Sequence, residues 1–540
     1  MAALYGLSAL SAMWLHAPRV PYADGWRYIA VLADAPFLDG VLMVSNGHRE
    51  VFPNIVRWLD LRLFGASQLL QILVGIALLL GTLAVLWRPL GRLAPLTRVA
   101  AYLWAIVGLC WLGNARALAH AQESVHAYLV TLALVCGVTL LARAPHDGRD
   151  AWRRGLLASA CGLVATFSFG SGVACFGAFL IVLWLRRASW RDALPILFSA
   201  GLAAVSLAIA GVGDERIGFA PLVQGERLLR WLAAPSLYAA WPVLDPEIAA
   251  RLPLAPLRAV VLPVAEGISN VTGPAHVARW PHLLTGVLGA AWLLVASIRC
   301  RCAPTAPVVV GLGVAWFAVG VGGLIALARL GYFELYPEQL LASRYVVWSS
   351  LFWAGLAYAT ISRARSATVS GVAIVLALVL MPSQLWMWRY AERLQEVALP
   401  VATAVAVGVL DPALPLGENV VGELRDASKP LEARGAAMYA WPETSWLGRR
   451  PDADAVHAIA TGALTVSSFE DQLSPGEAAR RVEFATPSTR TERWLLQDED
   501  GVVRGLATRD PLDARRAIGW MRGPAEAPPR VLALREVDGS

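Results

Sequence analysis

Between the first apolar stretch and the second, residues 21–65 place acids, a histidine and arginines beside a membrane span, and these are the residues best suited to chemistry. Asp24 is the first acid after the opening apolar stretch and is flanked by Tyr22, Trp26 and Tyr28. A carboxylate partly desolvated among interface aromatics has a raised proton affinity and can take a proton from an attacking hydroxyl. The same position suits a helix N-cap for the run that starts at Gly25, and the two roles are compatible. His48, Arg49 and Glu50 are consecutive, so on a helix their side chains point about 100° apart and two of the three can face one site. Arg49 offers a fork of donors to a phosphate and His48 a donor or acceptor near neutral pH. Glu50 equally fits the first turn of a solvated helix. Asp60 and Arg62 read as surface charges or an internal pair.

Two more polar groups stand near apolar stretches. Asn114, Arg116, His120, Gln122, Glu123 and His126 come from one short turn, so they are close together. Glu123 and His126 lie one helical turn apart and are compatible with a cation, but two ligands do not make a metal site, and a polar hairpin turn accounts for the same residues. The other group holds Arg329, Glu334, Glu338, Arg344 and Tyr345. A buried arginine at Arg344 needs an anion, which a phosphate, a diphosphate, or a carboxylate such as Asp24 or Glu338 would supply.

The elements that position these residues follow from composition. The 540 residues are 57% hydrophobic and 16% charged, with a mean hydropathy of +0.54, which marks a polytopic membrane protein. Eleven spans are expected, at 1–16, 67–87, 99–118, 124–142, 155–169, 173–185, 193–211, 281–298, 305–328, 345–361 and 367–388. Arg88, Arg92 and Arg98, then Arg143, Arg149, Arg153 and Arg154, then Arg186, Arg187 and Arg191, make every second loop basic. Basic loops stay in the cytoplasm, so 17–66, 212–280, 329–344 and the C-terminal tail face outward. Met1 is followed at once by apolar residues, and Leu15-His16-Ala17 is a poor cleavage site, so 1–16 reads as a span and not as a signal peptide. The net charge of +6 follows from this topology and implies no nucleic-acid partner. None of the six cysteines lies in the tail, and no disulfide framework is implied.

The expected layout is an all-α membrane domain over 1–388, with long outer loops 17–66 and 212–280, followed by an extracytoplasmic domain over 389–540. In the first outer loop, Val51, Ile55, Trp58, Leu59 and Leu63 have the spacing of a helix lying along the membrane face. The turn Gly170-Ser171-Gly172 joins two short spans, and its backbone groups must line a cavity if it dips into the membrane. In the tail, 389–410 and 417–436 read as helices, the second opening at Gly417-Glu418-Asn419. RVEFAT, RWLLQDEDGVVRGLAT and RVLALREV alternate as strands, which predicts an α+β or β-sandwich-like fold.

An early Asp and a later His-Arg in a long first outer loop, the hairpin SFGSG, and an outer Ser-Arg-Tyr leading into a late span together resemble the GT-C superfamily of polyprenyl-phosphate-sugar glycosyltransferases. The chain is most similar there to a group of bacterial membrane proteins that includes pilin arabinofuranosyltransferases. The resemblance covers about 20–390 and implies an inverting transfer from a lipid-phosphate sugar to a glycan, lipid or protein acceptor outside a bacterial inner membrane. By it, Asp24 takes the place of the catalytic base and His48 belongs to the catalytic pair. Arg49, Glu50, Glu123, Arg344 and Tyr345 would bind substrate, with Arg344 on the phosphate. Several members carry a paired acid in this loop, whereas Asp24 is followed by Gly25 and Trp26, so the sequence does not require a divalent cation.

Two alternatives remain at this level. A polymerase or ligase of lipid-linked glycans also works on the outer face with arginines and a histidine, but would rely on a large late loop. A transporter or flippase would place its polar groups near mid-bilayer on broken helices, whereas here the charges gather at outer ends.

Overall fold

The computed structural model describes all residues except 46, 144–147, 211–219, 236–241, 253, 273–278, 365, 417–419, 460–462, 487–492, 511–512, 514, 524–527 and 535–540, and the side chains of Thr272, Arg279 and Glu396. The chain is mostly helical and ends in a β-sheet region. It divides into two compact units.

The first unit holds Met1–Leu15, Leu42–Pro53 and Leu73–Tyr390. Each of the eleven expected spans falls on a helix or on a pair of consecutive helices. Among the described residues, seven helices are long and apolar enough by themselves to cross a membrane. At the centre lie the helices Ala306–Ala328 and Ser343–Ala364. They cross on glycines: a Cβ added to Gly311 would stand 2.6 Å from the Gly355 carbonyl oxygen, and one on Gly355 would stand 2.5 Å from that of Gly311. Small residues at such a crossing let the backbones approach, which is how helices gain contact where lipid tails are as apolar as leucine.

Between Pro95–Cys110 and Ala115–Ala119 the helix breaks, and side chains take up the freed groups. The Leu112 amide donates to Gln384 Oε1 at 2.8 Å, and Trp111 Nε1 donates to Ser383 Oγ at 2.8 Å. Asn114 Nδ2 donates to the Gly108 carbonyl at 2.9 Å, while its Oδ1 accepts from Ser350 Oγ at 3.0 Å. A break at membrane depth is tolerated when its polar groups are satisfied in this way.

The second unit joins His16–Val41 and Asn54–Ile72 to the chain from Ala391 onward, so the C-terminal residues pack with two pieces of the first outer loop. The helix Gly25–Leu32 lies on Val420–Ala433, pinned by Arg27 Nε on Glu423 Oε1 at 2.6 Å. The expected helix start at Gly417–Asn419 lies outside the described residues.

Two short strands, β1 (Val44–Ser45) and β2 (His48–Arg49), form a hairpin in the first unit. In the second unit, β3 (Val456–Ala458), β4 (Thr465–Glu470), β5 (Ala478–Ala485), β6 (Arg493–Gln497), β7 (Val503–Arg509), β8 (Arg516–Arg522) and β9 (Arg530–Leu534) pair antiparallel in the order β3-β9-β6-β7-β8-β5-β4. The α+β form of the expectation is the one found. Val482, Phe484, Trp494, Leu496, Ala507, Met521 and Val531 make the core under the sheet.

The helix Val51–Phe64 turns its polar side inward. Asn54, Arg57 and Asp60 are buried, whereas Leu63 is 68% exposed. Val51, Ile55, Trp58 and Leu59 are half-buried, and Leu63 and Phe64 at the end of the helix are exposed. The expectation that Asp60 is a surface charge or half of an ion pair is corrected here. Its carboxylate accepts from the Gln68 amide at 3.0 Å and the Leu70 amide at 2.9 Å, at the start of the helix Leu69–Trp87. Burial, the largest effect, raises the pKa of Asp60 against the pull of those amides. These bonds also hold a turn in which Gly65, Ala66 and Gln68 all have positive φ. Asp60→Ala leaves two amides of a strained turn without their acceptor, so we expect a loss of about 1–3 kcal/mol, read as a lower thermal midpoint of the detergent-purified protein. An unchanged midpoint would refute this role.

Candidate functional site

The turn between the helices Gly148–Thr166 and Ala174–Leu185 is the hub of a polar and aromatic cluster in the first unit. It closes tightly: a Cβ on Gly172 would stand 2.1 Å from the Ala165 carbonyl oxygen. This closure turns the Phe169 ring into the cluster, where it stacks on His126 (centroids 4.4 Å apart, 13° between planes) and, further off, on Trp348 (6.2 Å, 16°). His48 meets the edge of the same ring at 5.2 Å and 81°. The Phe52 amide donates to the Phe167 carbonyl at 3.3 Å, so the segment after the β1–β2 hairpin is tied to this turn. Gly170 lies under His48, and a Cβ there would come within 3.1 Å of the imidazole.

His48 Nε2 is 3.3 Å from Glu50 Oε1, and Glu50 is 3% exposed. The expected helix start at 48–50 is instead a strand end, and alternation along an extended chain lets residues 48 and 50 share a side while Arg49 leaves it. Arg49 Nη1 donates to the Leu42 carbonyl in its own hairpin. A buried carboxylate beside an imidazole fixes the ring's orientation.

Glu123 faces its own turn. Its Oε1 accepts from Arg116 Nε at 2.6 Å and lies 3.1 Å from His120 Nδ1. His126, one helical turn on, is near enough for its charge to act on Glu123 and stacks on Phe169. Among the described residues no three His, Cys, Asp or Glu side chains are grouped so as to hold a metal ion.

Arg344 stands in the first turn of Ser343–Ala364. Its Nη2 donates to the Tyr332 hydroxyl at 3.2 Å, and its guanidinium carbon lies 4.9 Å from the Tyr345 ring centroid. Arg344 Nε and the Tyr345 hydroxyl are both buried without a hydrogen-bond partner. Glu338, one of the carboxylates weighed as a partner for Arg344, is exposed and makes no ion pair with it among the described residues.

Asp24 belongs to the second unit and the other six expected site residues to the first. It stands before the helix Gly25–Leu32, where its side chain makes no cap bond. The residue before it, Ala23, has φ of 48°, a strained value of the kind stored at functional sites. One turn on, burial works against the Arg27 charge, but the Glu423 bond and the Asp24 charge outweigh it and raise the Arg27 pKa. In the same unit the Arg57 guanidinium lies 3.7 Å over the Tyr28 ring and donates to Asn54 Oδ1 at 2.7 Å. Phe169 and Trp348 were not foreseen as neighbours of His48 and His126; the one sequence signal was SFGSG, whose small residues announce a close approach without saying to what.

Gly172→Ala has no room for its methyl group without moving the turn. It should destabilise the first unit by more than about 1–3 kcal/mol, while Ser171→Ala should leave the thermal midpoint within a degree or two. Equal midpoints for the two variants would show that the turn is not tightly closed.

No protein-family model matches the chain, and no curated protein matches it. Among solved structures it is similar to the oligosaccharyltransferase AglB of Archaeoglobus fulgidus in complex with an inhibitory peptide and a dolichol-phosphate (12% identity, 76% of this chain, 58% of that chain, TM-score 0.38). A second structure of an A. fulgidus oligosaccharyltransferase, with zinc and sulfate, matches at 12% identity over 72% of this chain and 53% of the other, with a TM-score of 0.34. The chain thus spans little more than half the length of these proteins. ArnT from Cupriavidus metallidurans, bound to undecaprenyl phosphate, matches at 14% identity over 97% of this chain and 99% of its own, with a TM-score of 0.35.

Proposed function

We propose that this multi-pass membrane protein is a glycosyltransferase that moves a sugar from a polyprenyl-phosphate carrier to an acceptor outside the cytoplasm, with inversion at the anomeric carbon. The observation that carries the reading is Arg344. It is a half-buried guanidinium at the outer end of a central helix, beside the buried Tyr345 hydroxyl, with donor atoms that no protein group takes up. A guanidinium kept there without a carboxylate is suited to an anion supplied by a substrate.

In the transfer, the acceptor hydroxyl gives its proton to a base and its oxygen bonds to the anomeric carbon. The bond from that carbon to the phosphate oxygen breaks, and the lipid phosphate leaves with the electron pair. Positive charge placed where the leaving oxygen becomes negative lowers this barrier, which is the role given to Arg344. Asp24 is the proposed base, as the family resemblance has it. A second reading gives the proton to His48, because Glu50 supports its ring within the same unit as Arg344. Arg49 is given a secondary place, since its guanidinium is bound to its own hairpin, and Glu123 a structural one beside Arg116. The acceptor is a glycan, lipid or protein, and the outer sheet region is proposed to position it.

Transfer of radiolabelled sugar from polyprenyl-phosphate donors to membrane acceptors tests this at matched expression. Arg344→Ala should lower the rate by about 10²–10³-fold and Asp24→Asn by about 10²–10⁴-fold. If His48→Gln abolishes transfer and Asp24→Asn does not, the base is His48. Wild-type rates in both Arg344→Ala and Asp24→Asn would remove those two residues from the mechanism, and no transfer by the wild type from any donor would end the transferase reading in favour of transport or binding.

A further inference from the structure

Arg344 shares the Tyr332 ring with a second arginine. The Arg329 guanidinium carbon lies 5.3 Å from the ring centroid and that of Arg344 5.8 Å from it. Arg329 ends the helix Ala306–Ala328, Tyr332 sits on Leu330–Leu335, and Arg344 opens Ser343–Ala364. The short helix between them is held in place by Arg227, whose Nη1 donates to the Leu330 carbonyl at 3.0 Å and whose guanidinium lies 5.8 Å from the Phe333 centroid.

Among the described residues no carboxylate pairs with either arginine. Glu334 and Glu338 are exposed, and among the described residues neither forms an ion pair with Arg329 or Arg344. Two guanidiniums gathered on one ring repel each other, and partial burial strengthens that repulsion. A ligand with two negative centres removes it. The buried Tyr345 hydroxyl stands beside the Arg344 guanidinium, and the N-terminal turn of the helix Ser343–Ala364 adds donors to the same place.

We infer that the carrier is joined to its sugar through a diphosphate, with one phosphate on Arg344 and Tyr345 and the other on Arg329. The inference rests on the transferase reading and narrows its donor class. A single phosphate would leave Arg329 without a counter-ion, whereas two phosphates joined by one oxygen engage both forks. Both guanidiniums lie within about 6 Å of the Tyr332 centroid.

The test uses the full-length protein in nanodiscs of phosphatidylcholine and titrates inorganic phosphate and inorganic pyrophosphate separately by calorimetry. Wild type should bind pyrophosphate at least about tenfold more tightly than phosphate. Arg329→Gln should bring that ratio close to one while keeping phosphate affinity within about twofold, and Arg344→Gln should weaken both anions. Equal wild-type affinities, or a ratio that Arg329→Gln leaves unchanged, overturn the inference; the wild-type ratio decides the matter even if a variant fails to fold. Transfer from a monophosphate carrier with no pyrophosphate preference sinks the diphosphate and keeps the transferase. A pyrophosphate preference without transfer from any carrier keeps the anion site and sinks the transferase.

Discussion

Hydrocarbon offers no water to a peptide group, and this constraint arranges the first unit. It makes the eleven apolar stretches helical, because only a helix satisfies every amide within its own segment. It also makes the exceptions informative. Where the helix ending at Cys110 breaks, Gln384, Ser383 and Ser350 are brought from distant parts of the chain to bond the exposed groups. Where the chain turns at Gly170–Val173, backbone contact so close that Gly172 has no room for a Cβ takes the place of solvent.

The same constraint gives the polar clusters their meaning. A charge near the membrane is expensive unless it is paired, and most here are. Glu123 has Arg116, Glu50 has His48, and in the second unit Arg27 has Glu423. Arg344 and Arg329 differ from these, since among the described residues they meet the Tyr332 ring and hydroxyl and form no ion pair. An aromatic ring softens the cost of burying a guanidinium without neutralising it.

Phe169 shows how a side chain without chemistry of its own can organise groups that have it. Its two faces and its edge are used by Trp348, His126 and His48, which come from a late span, an early span and the first outer loop. The ring thus converts the fold of a tight turn into the position of an imidazole. The inverted helix Val51–Phe64 does something comparable in the second unit, where Asn54, Arg57 and Asp60 point inward and Leu63 and Phe64 are exposed.

Much of this was legible in the residues. Apolar runs long enough to form the helices and period-two alternation after residue 455 report on local geometry, and local geometry repeats with a period that a sequence displays. Three things were settled only by tertiary structure. Asp60 proved to be a buried cap and not a surface charge, because its partners, the Gln68 and Leu70 amides, are backbone groups that look alike in every sequence. His126 proved to stack on Phe169, because spacing along a helix fixes which side a residue takes but not what meets it there. Residues 16–41 and 54–72 proved to fold with the chain after Ala391, across more than three hundred residues of sequence. Burial of one surface against another depends on the shapes of both, and no period within either segment records the shape of its partner.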